Sequence, residues 1–240
     1  RGCWLFLGLG LIQLTVLNFP RLPNHPSKKQ RLYITVTLIT IGLLSGITFF
    51  ISNQCSLSLR HTYSDIYNKF TSAPKATLLS QNIKYEQTHK KMSVNSELLV
   101  QNLSGKILDE IILYLNPGLK ITSLTSNGIP LPYERKQQVI IIKNQLLVND
   151  SIEFQISYEG RVDENLCYLD IPDKAITNTS DKMYLASRHG KHYAYQEKNF
   201  TLLTPEVSWY PTTEPPVNPH SPHETPKNFT NYTLQVSPTG

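Results

Sequence analysis

Two pairs of histidines have a spacing that could bind a metal ion. His189 and His192 lie three residues apart, as do His220 and His223. A zinc site needs several imidazole, thiolate or carboxylate ligands converging on one point. No cysteine or cluster of acids accompanies either pair, and glycine or proline lies between the histidines. We therefore expect exposed loop histidines here and no metal ligands.

Other catalytic signatures are missing from these 240 residues. There is no Gly-x-Ser-x-Gly elbow, which a serine hydrolase of that class needs, and no Gly-rich phosphate loop or Walker pattern. If a transporter is involved, its ATP-binding subunit must therefore be another chain. Asp109, Glu110 and Glu153 stand among strand-like residues, where solvated surface positions are expected.

The most distinctive stretch is residues 202–211, which read L-L-T-P-E-V-S-W-Y-P. A proline-rich segment, 214–226, follows it and cannot form a strand ladder or a helix. The chain then resumes a strand-like alternation at 231–238, N-Y-T-L-Q-V-S-P. These features are expected to be a loop, a spacer and a final strand.

The elements that position this stretch begin with an apolar block, Leu32–Ile51, which no charge interrupts. Twenty residues of helix span about 30 Å, the thickness of the hydrocarbon core of a bilayer. A shorter apolar stretch, Cys3–Phe19, precedes it, so residues 1–52 are predicted to form two transmembrane helices. A cleaved signal peptide is the alternative for the first stretch, but a full second span follows it.

The basic loop 20–31 between the two spans predicts the orientation. It carries Arg21, Lys28, Lys29 and Arg31 and no acid, and short basic loops remain in the cytoplasm. Everything after Ser52 is then outside the cytoplasm, in a multi-pass (inner) membrane protein with a periplasmic domain. Residues 1–52 account for the whole net charge of +5. The basic pI near 9.0 therefore reflects the charges that orient the predicted membrane helices, and no nucleic-acid partner is expected.

The three cysteines are too few for a disulfide framework. Cys55 and Cys167 would both face the oxidising side, and whether they pair stays open. Six Asn residues begin N-x-S/T triplets, which we take to mark surface loops at most: Asn102, Asn149, Asn178, Asn199, Asn228 and Asn231.

The region after the membrane is predicted to be an antiparallel β-sandwich, 76–240, behind a connector, 53–75. Tyr63, Ile66, Tyr67 and Phe70 have helical spacing within that connector. Strands of this length, at eight-to-twelve-residue intervals between Asn, Gly and Pro turns, are typical of a sandwich. The predicted strands are 77–90, 93–101, 106–115, 119–126, 138–143, 151–158 and 232–237.

This order of features resembles the N-terminal domain of the aminopeptidase N family of zinc metallopeptidases. In that family a saddle-like sandwich ends with W-[FY]-P-C, a short loop and a strand F-x-[LV]-x-[VI]-x-x-P. Residues 209–211 (W-Y-P) match the first element and 232–238 the last, while 158–161 fall at the family's Y-x-G step. The chain is also similar to bacterial forms fused behind an ABC-2 exporter permease, which carry T-P-E-x-x-W-Y-P and two preceding spans. The resemblance covers roughly residues 60–240.

The resemblance implies that Glu206, Trp209 and Tyr210 lie near the substrate, with Glu206 as the acid that meets the amino group of a peptide. The spacing of Glu206 from the aromatic-Pro motif is shorter than in the family. The family's H-E-x-x-H and G-x-M-E-N motifs are absent. Thr212 replaces the Cys of the motif, and T-E-P at 213–215 replaces D-E-P. We expect no catalytic residue, metal ligand or cofactor in these residues, and zinc in the full-length protein.

Three hypotheses remain from the sequence. The chain is the non-catalytic leading part of a membrane-bound aminopeptidase-N-like protein, with a lipid bilayer and a peptide substrate as partners. Alternatively it is a binding or structural module without catalysis, which the replaced Cys and acidic pair favour. As a third hypothesis, it belongs to a permease subunit whose outer domain contacts a partner.

Overall fold

The structure is a computed structural model that describes residues 2–18, 28–167, 169, 194–197, 200–215 and 230–237. The chain forms two compact units, Arg1–Leu59 and Arg60–Gly240. Helix α1 is Gly2–Asn18 and helix α2 is Lys28–Phe70. The predicted apolar block is the first half of α2, and the helical spacing noted after it is the second half of the same helix.

One described helix is long and apolar enough to cross a membrane, from Lys29 to Phe70. Helix α1, at 17 residues, is apolar but shorter. A membrane span and a signal sequence near the N-terminus share these properties. The two-span anchor therefore remains a prediction. In both helices threonine hydroxyls donate to the carbonyl four residues earlier: Thr15 to Leu11, Thr35 to Arg31 and Thr48 to Leu44.

Within the first unit α1 and α2 pack closely at small residues. A Cβ atom added to Gly42 would lie 2.7 Å from Cγ of Leu7, and one added to Gly46 would lie 3.2 Å from Sγ of Cys3. Gly10 meets Ile39 in the same way, at 2.7 Å from Cγ1. The contacts run in opposite directions along the two helices, so the pair is antiparallel. Gly42 and Gly46 have the G-x-x-x-G spacing that permits close helix packing in lipid.

The second unit is sheet-rich. A six-stranded sheet has the order β11-β1-β2-β8-β4-β5, a three-stranded sheet has the order β3-β7-β6, and β9 and β10 form a hairpin. The strands are β1 Thr77–Thr88, β2 Lys91–Gln101, β3 Ile111–Tyr114, β4 Leu119–Ser126, β5 Ile129–Pro130, β6 Tyr133–Lys136, β7 Val139–Ile142, β8 Ser151–Gly160, β9 Ala194–Glu197, β10 Phe200–Leu203 and β11 Asn231–Ser237.

The six-stranded and three-stranded sheets share one core. Alternate residues of β2 and β8, among them Leu98, Val100, Phe154 and Ile156, are fully buried and belong to one hydrophobic cluster with β3 and β7. Strands β3 and β7 are buried on both faces, since their other side chains form a second cluster with Ile66, Phe70 and Ala73. The last turns of α2 therefore cover the outer face of the three-stranded sheet.

The expectation of a purely antiparallel fold is wrong. Strand β11 pairs with β1 in parallel, Gln81 facing Tyr232 and Ile83 facing Leu234, whereas the other pairings among the described strands are antiparallel. A hairpin forces antiparallel pairing only on strands that are neighbours in sequence. A long stretch of chain separates β1 from β11, so the final strand can pair with β1 in either direction, and here the pairing is parallel.

The predicted strand 106–115 is also shorter than expected. Only Ile111–Tyr114 is a strand, because Asn102 folds the preceding residues into a loop. The Asn102 amide is fully buried and donates to the carbonyls of Lys106 (2.7 Å) and Leu146 (2.9 Å). The Asn102 side chain is thus buried, while the residues that follow it, 103–107, form the exposed surface loop that was predicted for this N-x-S triplet. Asn149 and Asn231 are exposed, and the other three triplets lie outside the described residues.

Candidate functional site

The site is built on the segment that follows the β9–β10 hairpin. After Leu203 the chain makes a 3-10 turn, Pro205–Val207, in which proline supplies a preset φ at the first position. Ser208 ends the turn in the left-handed region, with φ 49°, and its N–H donates to the carbonyl of Pro205 at 2.9 Å. We name residues 204–211 the TPEVSWYP segment. Directly after it, Thr212 forms a two-way backbone bridge with Tyr114 of β3.

Two buried amide side chains hold this segment in place. Asn116, just after β3, donates from Nδ2 to the carbonyl of Val207 at 2.7 Å. Gln81, in β1, donates from Nε2 to the carbonyl of Pro211 at 3.2 Å and to Oγ of Ser96 at 2.8 Å. Both amides are almost completely buried. Buried carbonyls need such partners, so these residues fix both halves of the segment.

Four aromatic rings run from the six-stranded sheet through the segment to the final strand. Trp209 meets Tyr85 edge to face at 6.1 Å between ring centroids, and meets Tyr210 at 4.8 Å. Tyr210 meets Tyr232 of β11 at 5.6 Å, again edge to face. The predicted site residues Trp209 and Tyr210 are thus adjacent, and they touch the strand that the sequence placed beyond the proline-rich stretch.

Glu206 lies in the 3-10 turn, and one of its carboxylate oxygens makes no hydrogen bond to the described residues. Its Oε2 is buried and has no hydrogen-bond partner among the described residues, and the same holds for Oγ of Ser208 and the hydroxyl of Tyr158. A buried polar atom without a partner costs free energy, so each of these atoms can accept a polar neighbour. A carboxylate oxygen in this position can accept a hydrogen bond from an ammonium group.

The charge of Glu206 raises the pKa of two other ionisable groups. Burial raises the pKa of Tyr210 above its ordinary value, and Tyr232 and the charge of Glu206 raise it further. Burial likewise raises the pKa of the Cys167 thiol, to which Glu164 and Glu206 add. Both groups are therefore protonated at neutral pH, and neither is an activated nucleophile.

The three cysteines are free thiols in this structure. Cys55 is exposed and Cys167 is buried. The backbone carbonyl of Cys167 accepts a 2.5 Å hydrogen bond from Nη1 of Arg60.

The acid that follows the aromatic-Pro motif has a structural partner. Glu214 forms an ion pair with Lys75 at 2.9 Å, and both side chains are largely shielded from solvent. Lys75 lies just before β1, so the pair ties the end of the site segment to the start of the sheet. Exposed pairs contribute little to stability, but a shielded pair with a direct hydrogen bond contributes more.

The described residues contain no group of three or more His, Cys, Asp or Glu that could hold a metal ion. The resemblance implies zinc only in the full-length protein, and the described part of the chain offers no cluster of ligands for it. The histidine pairs 189/192 and 220/223 lie outside that part. Asp109, Glu110 and Glu153 are exposed, as predicted from their strand-like surroundings.

The sequence indicated Glu206, Trp209 and Tyr210 as candidates but did not indicate the residues that hold their segment. Asn116 directly follows the predicted strand 106–115, and Gln81 lies within the predicted strand 77–90, so neither was singled out. The signal for Gln81 was the strand alternation itself, which places it on the same face as the buried Ile83 and Tyr85. A polar residue on the buried face of a strand needs a partner, and that partner is the site segment.

No family model matches the chain, and no curated protein matches it. Solved structures with some likeness include an M1 zinc metallopeptidase from Deinococcus radiodurans, at 15% identity over 37% of this chain and 21% of that one, with a TM-score of 0.34. A two-domain M1 zinc metallopeptidase bound to L-tryptophan has 13% identity, 68% and 32% coverage and a TM-score of 0.47. Legionella pneumophila aminopeptidase A in complex with aspartic acid has 13% identity, 69% and 16% coverage and a TM-score of 0.46. The chain thus spans a third or less of each of these proteins.

Proposed function

We propose that this chain is the non-catalytic N-terminal part of a membrane-bound, aminopeptidase-N-like zinc metallopeptidase. The observation that carries the proposal is the contact between Tyr210 and Tyr232. It joins the two sequence elements of the resemblance, W-Y-P and the Y-x-L-x-V strand, which the proline-rich stretch separates in sequence. Two motifs that match a family separately and then meet in space are better support than either motif alone.

In this proposal Glu206 receives the amino group of a peptide substrate. Its buried Oε2, which has no hydrogen-bond partner among the described residues, is the acceptor, and Trp209 and Tyr210 follow it in the same segment. The zinc ion and the base that activates water belong to residues beyond Gly240. Zinc in such a site would supply a nucleophilic water, and this chain would line one side of the substrate cleft and bind the amino group of the substrate.

The proposed anchor is the pair of helices α1 and α2 in a lipid bilayer, with residues 60–240 outside the cytoplasm. We call the close contacts of Gly10, Gly42 and Gly46 between α1 and α2 the glycine seam. This seam, and threonine hydroxyls that donate to carbonyls of their own helix, are typical of two helices packed in lipid. From the resemblance to forms fused behind an ABC-2 permease, we further propose additional spans before Arg1 and a separate ATP-binding subunit. Exposed Cys55 tests the orientation, since a membrane-impermeant maleimide should label it from outside intact cells. Labelling only after lysis would invert this topology.

The activity is tested in the longer reading frame. We expect H-E-x-x-H within about two hundred residues after Gly240, which is the spacing implied by the resemblance, and zinc-dependent turnover of an aminoacyl chromogenic substrate. Glu206→Gln should raise KM with little change in kcat, because it removes a contact made equally in the ground and transition states. Glu153→Gln, an exposed acid of β8, is the matched control. Absence of the zinc motif would exclude the peptidase.

A non-enzymatic binding or structural module is the second candidate. One observation favours it: Glu214, the acid that remains of the family's D-E-P step, is bound by Lys75 and so has a structural role. The purified 240-residue chain should hydrolyse nothing under either candidate. Only the longer reading frame separates them.

A further inference from the structure

One buried side chain holds the candidate site to two other parts of the domain. Nδ2 of Asn116 donates to the carbonyl oxygens of Val207 at 2.7 Å and Asp163 at 2.9 Å. Oδ1 of Asn116 accepts from the backbone N–H groups of Gly118 at 2.9 Å and Asp163 at 2.8 Å. All four hydrogen-bonding positions of the amide are used. The side chain is therefore fixed in a single orientation.

The main chain of the same residue adds a fifth bond. The N–H of Asn116 donates to the carbonyl of Ser208 at 2.8 Å. Asn116 thus holds two consecutive carbonyls, those of Val207 and Ser208, directly after Glu206. Ser208 has the strained left-handed conformation, which persists only where the surroundings impose it.

On its other side Asn116 reaches the last turns of helix α2 through Asp163. The hydroxyl of Tyr63 donates to Oδ2 of Asp163 at 2.7 Å, and Nε2 of Gln138 donates to the carbonyl of Tyr63 at 2.7 Å. Tyr63 is itself buried against Leu166 and Leu169. A continuous series of bonds therefore runs from Tyr63 through Asp163 and Asn116 to Val207.

We propose that Asn116 is the positioning residue of the candidate site and that Asn116 and Asp163 together form a latch. This latch fixes residues 205–208 to the helical segment that contains Tyr63. Asn116 makes no contact with substrate and acts only through the backbone that carries Glu206. The importance of the latch for substrate affinity rests on the proposed function, but the latch itself does not.

Asn116→Asp is the most selective test, because the carboxylate keeps an acceptor for Gly118 and Asp163 and loses both donated bonds. The whole chain is reconstituted in lipid nanodiscs and followed by hydrogen exchange with mass spectrometry. We expect exchange in 205–208 to become about tenfold faster, which corresponds to the loss of one to two net hydrogen bonds. Strands β1 and β2 should be unchanged. Asn144→Asp is the matched control, since the side chain of Asn144 makes one long hydrogen bond, 3.5 Å to the carbonyl of Gln145, among the described residues.

Tyr63→Phe tests the far end of the latch without a buried charge. It removes only the hydroxyl that binds Asp163, and it should accelerate exchange at 163–166 and, to a smaller extent, at 205–208. Tyr133→Phe, an exposed tyrosine of β6, is the control. If Asn116→Asp leaves 205–208 unchanged, or accelerates every strand equally, the latch does not exist.

A second readout separates the latch from the proposed function. In the longer protein, Asn116→Asp should raise KM and leave kcat within about twofold, as Glu206→Gln does. Faster exchange at 205–208 with no change in KM would retain the latch and remove Glu206 from the substrate site. No change in exchange would overturn the latch whatever the kinetics show.

Discussion

Tyr210 lies edge to face against Tyr232, with 5.6 Å between the ring centroids and an interplanar angle of 74°. Tyr210 belongs to the TPEVSWYP segment and Tyr232 to β11, so this contact joins the site segment to the edge of the six-stranded sheet. The final strand therefore depends on the site segment for part of its attachment.

This contact predicts a measurable coupling. Tyr210→Ala and Tyr232→Ala should show a coupling free energy of about 1 kcal/mol in a double-mutant cycle of unfolding, as edge-to-face pairs do. Tyr210→Phe keeps the ring and loses the hydroxyl, so it separates the contribution of the ring contact from that of the hydroxyl. A coupling energy near zero would mean that β11 and the segment are attached independently.

The glycine seam predicts a specific disulfide. Gly46→Cys places a new Cβ 3.2 Å from Sγ of Cys3, close to the separation of those atoms across a disulfide. Under mild oxidation in a Cys55→Ser background, this variant should lose its reactivity toward maleimide at Cys3. Gly8→Cys, where nothing lies within 4 Å, is the matched control and should keep its thiols. Full labelling of both variants would contradict the antiparallel packing of α1 and α2.

Ser208 predicts a stabilising substitution. A left-handed φ of 49° is unfavourable for a residue with a side chain, and its Oγ is buried without a partner among the described residues. Ser208→Gly should therefore stabilise the domain by about 0.5–1 kcal/mol, measured by urea unfolding. Ser151→Gly, at the exposed start of strand β8, should be neutral or destabilising. Destabilisation by Ser208→Gly would mean that its side chain has a role in the site.

The buried tyrosines predict a loss of stability in alkali. Burial raises the pKa of Tyr114 above its ordinary value of 10.0, with a further contribution from the charge of Glu214. The folded state then binds more protons than the unfolded chain above pH 10, so stability is complete below pH 10 and declines as the pH rises further.

The measurement for Tyr114 is urea unfolding at neutral pH and at about pH 11. Tyr114→Phe should reduce the loss of unfolding free energy between these conditions by about 1 kcal/mol, because one buried phenol no longer titrates. At neutral pH it should also cost about 1 kcal/mol, because the hydroxyl of Tyr114 donates to the carbonyl of Phe70 at 3.3 Å. Tyr133→Phe serves as the exposed control. An unchanged difference between the two pH values would contradict the burial of Tyr114.

The sequence predicted strands best where alternation and turns agree. Strand β4 has the predicted bounds, Leu119–Ser126, because Gly118 precedes it and Asn127-Gly128 ends it. Strand β11 is likewise within one residue of prediction. What alternation could not show is which strand β11 pairs with, since partner choice depends on the whole sheet and not on local pattern.

The sequence also did not predict the role of the buried polar residues. The sequence predicted Asn102 to mark a surface loop and Gln81 to be a strand residue, and it did not single out Asn116. Each of the three is buried and hydrogen-bonded to distant backbone. Their role depends on carbonyls that come near only after folding. Of the site, therefore, the sequence predicted the residues that project from the segment but not those that hold it.

The parallel pairing of β1 with β11 has a consequence for synthesis on the ribosome. The first strand of the domain to emerge receives its outer neighbour only when residues 231–237 have been translated. Until then β1 exposes a row of unpaired backbone groups, the kind of surface on which nascent chains aggregate. The slowest folding step of the domain should therefore be the arrival of this last strand.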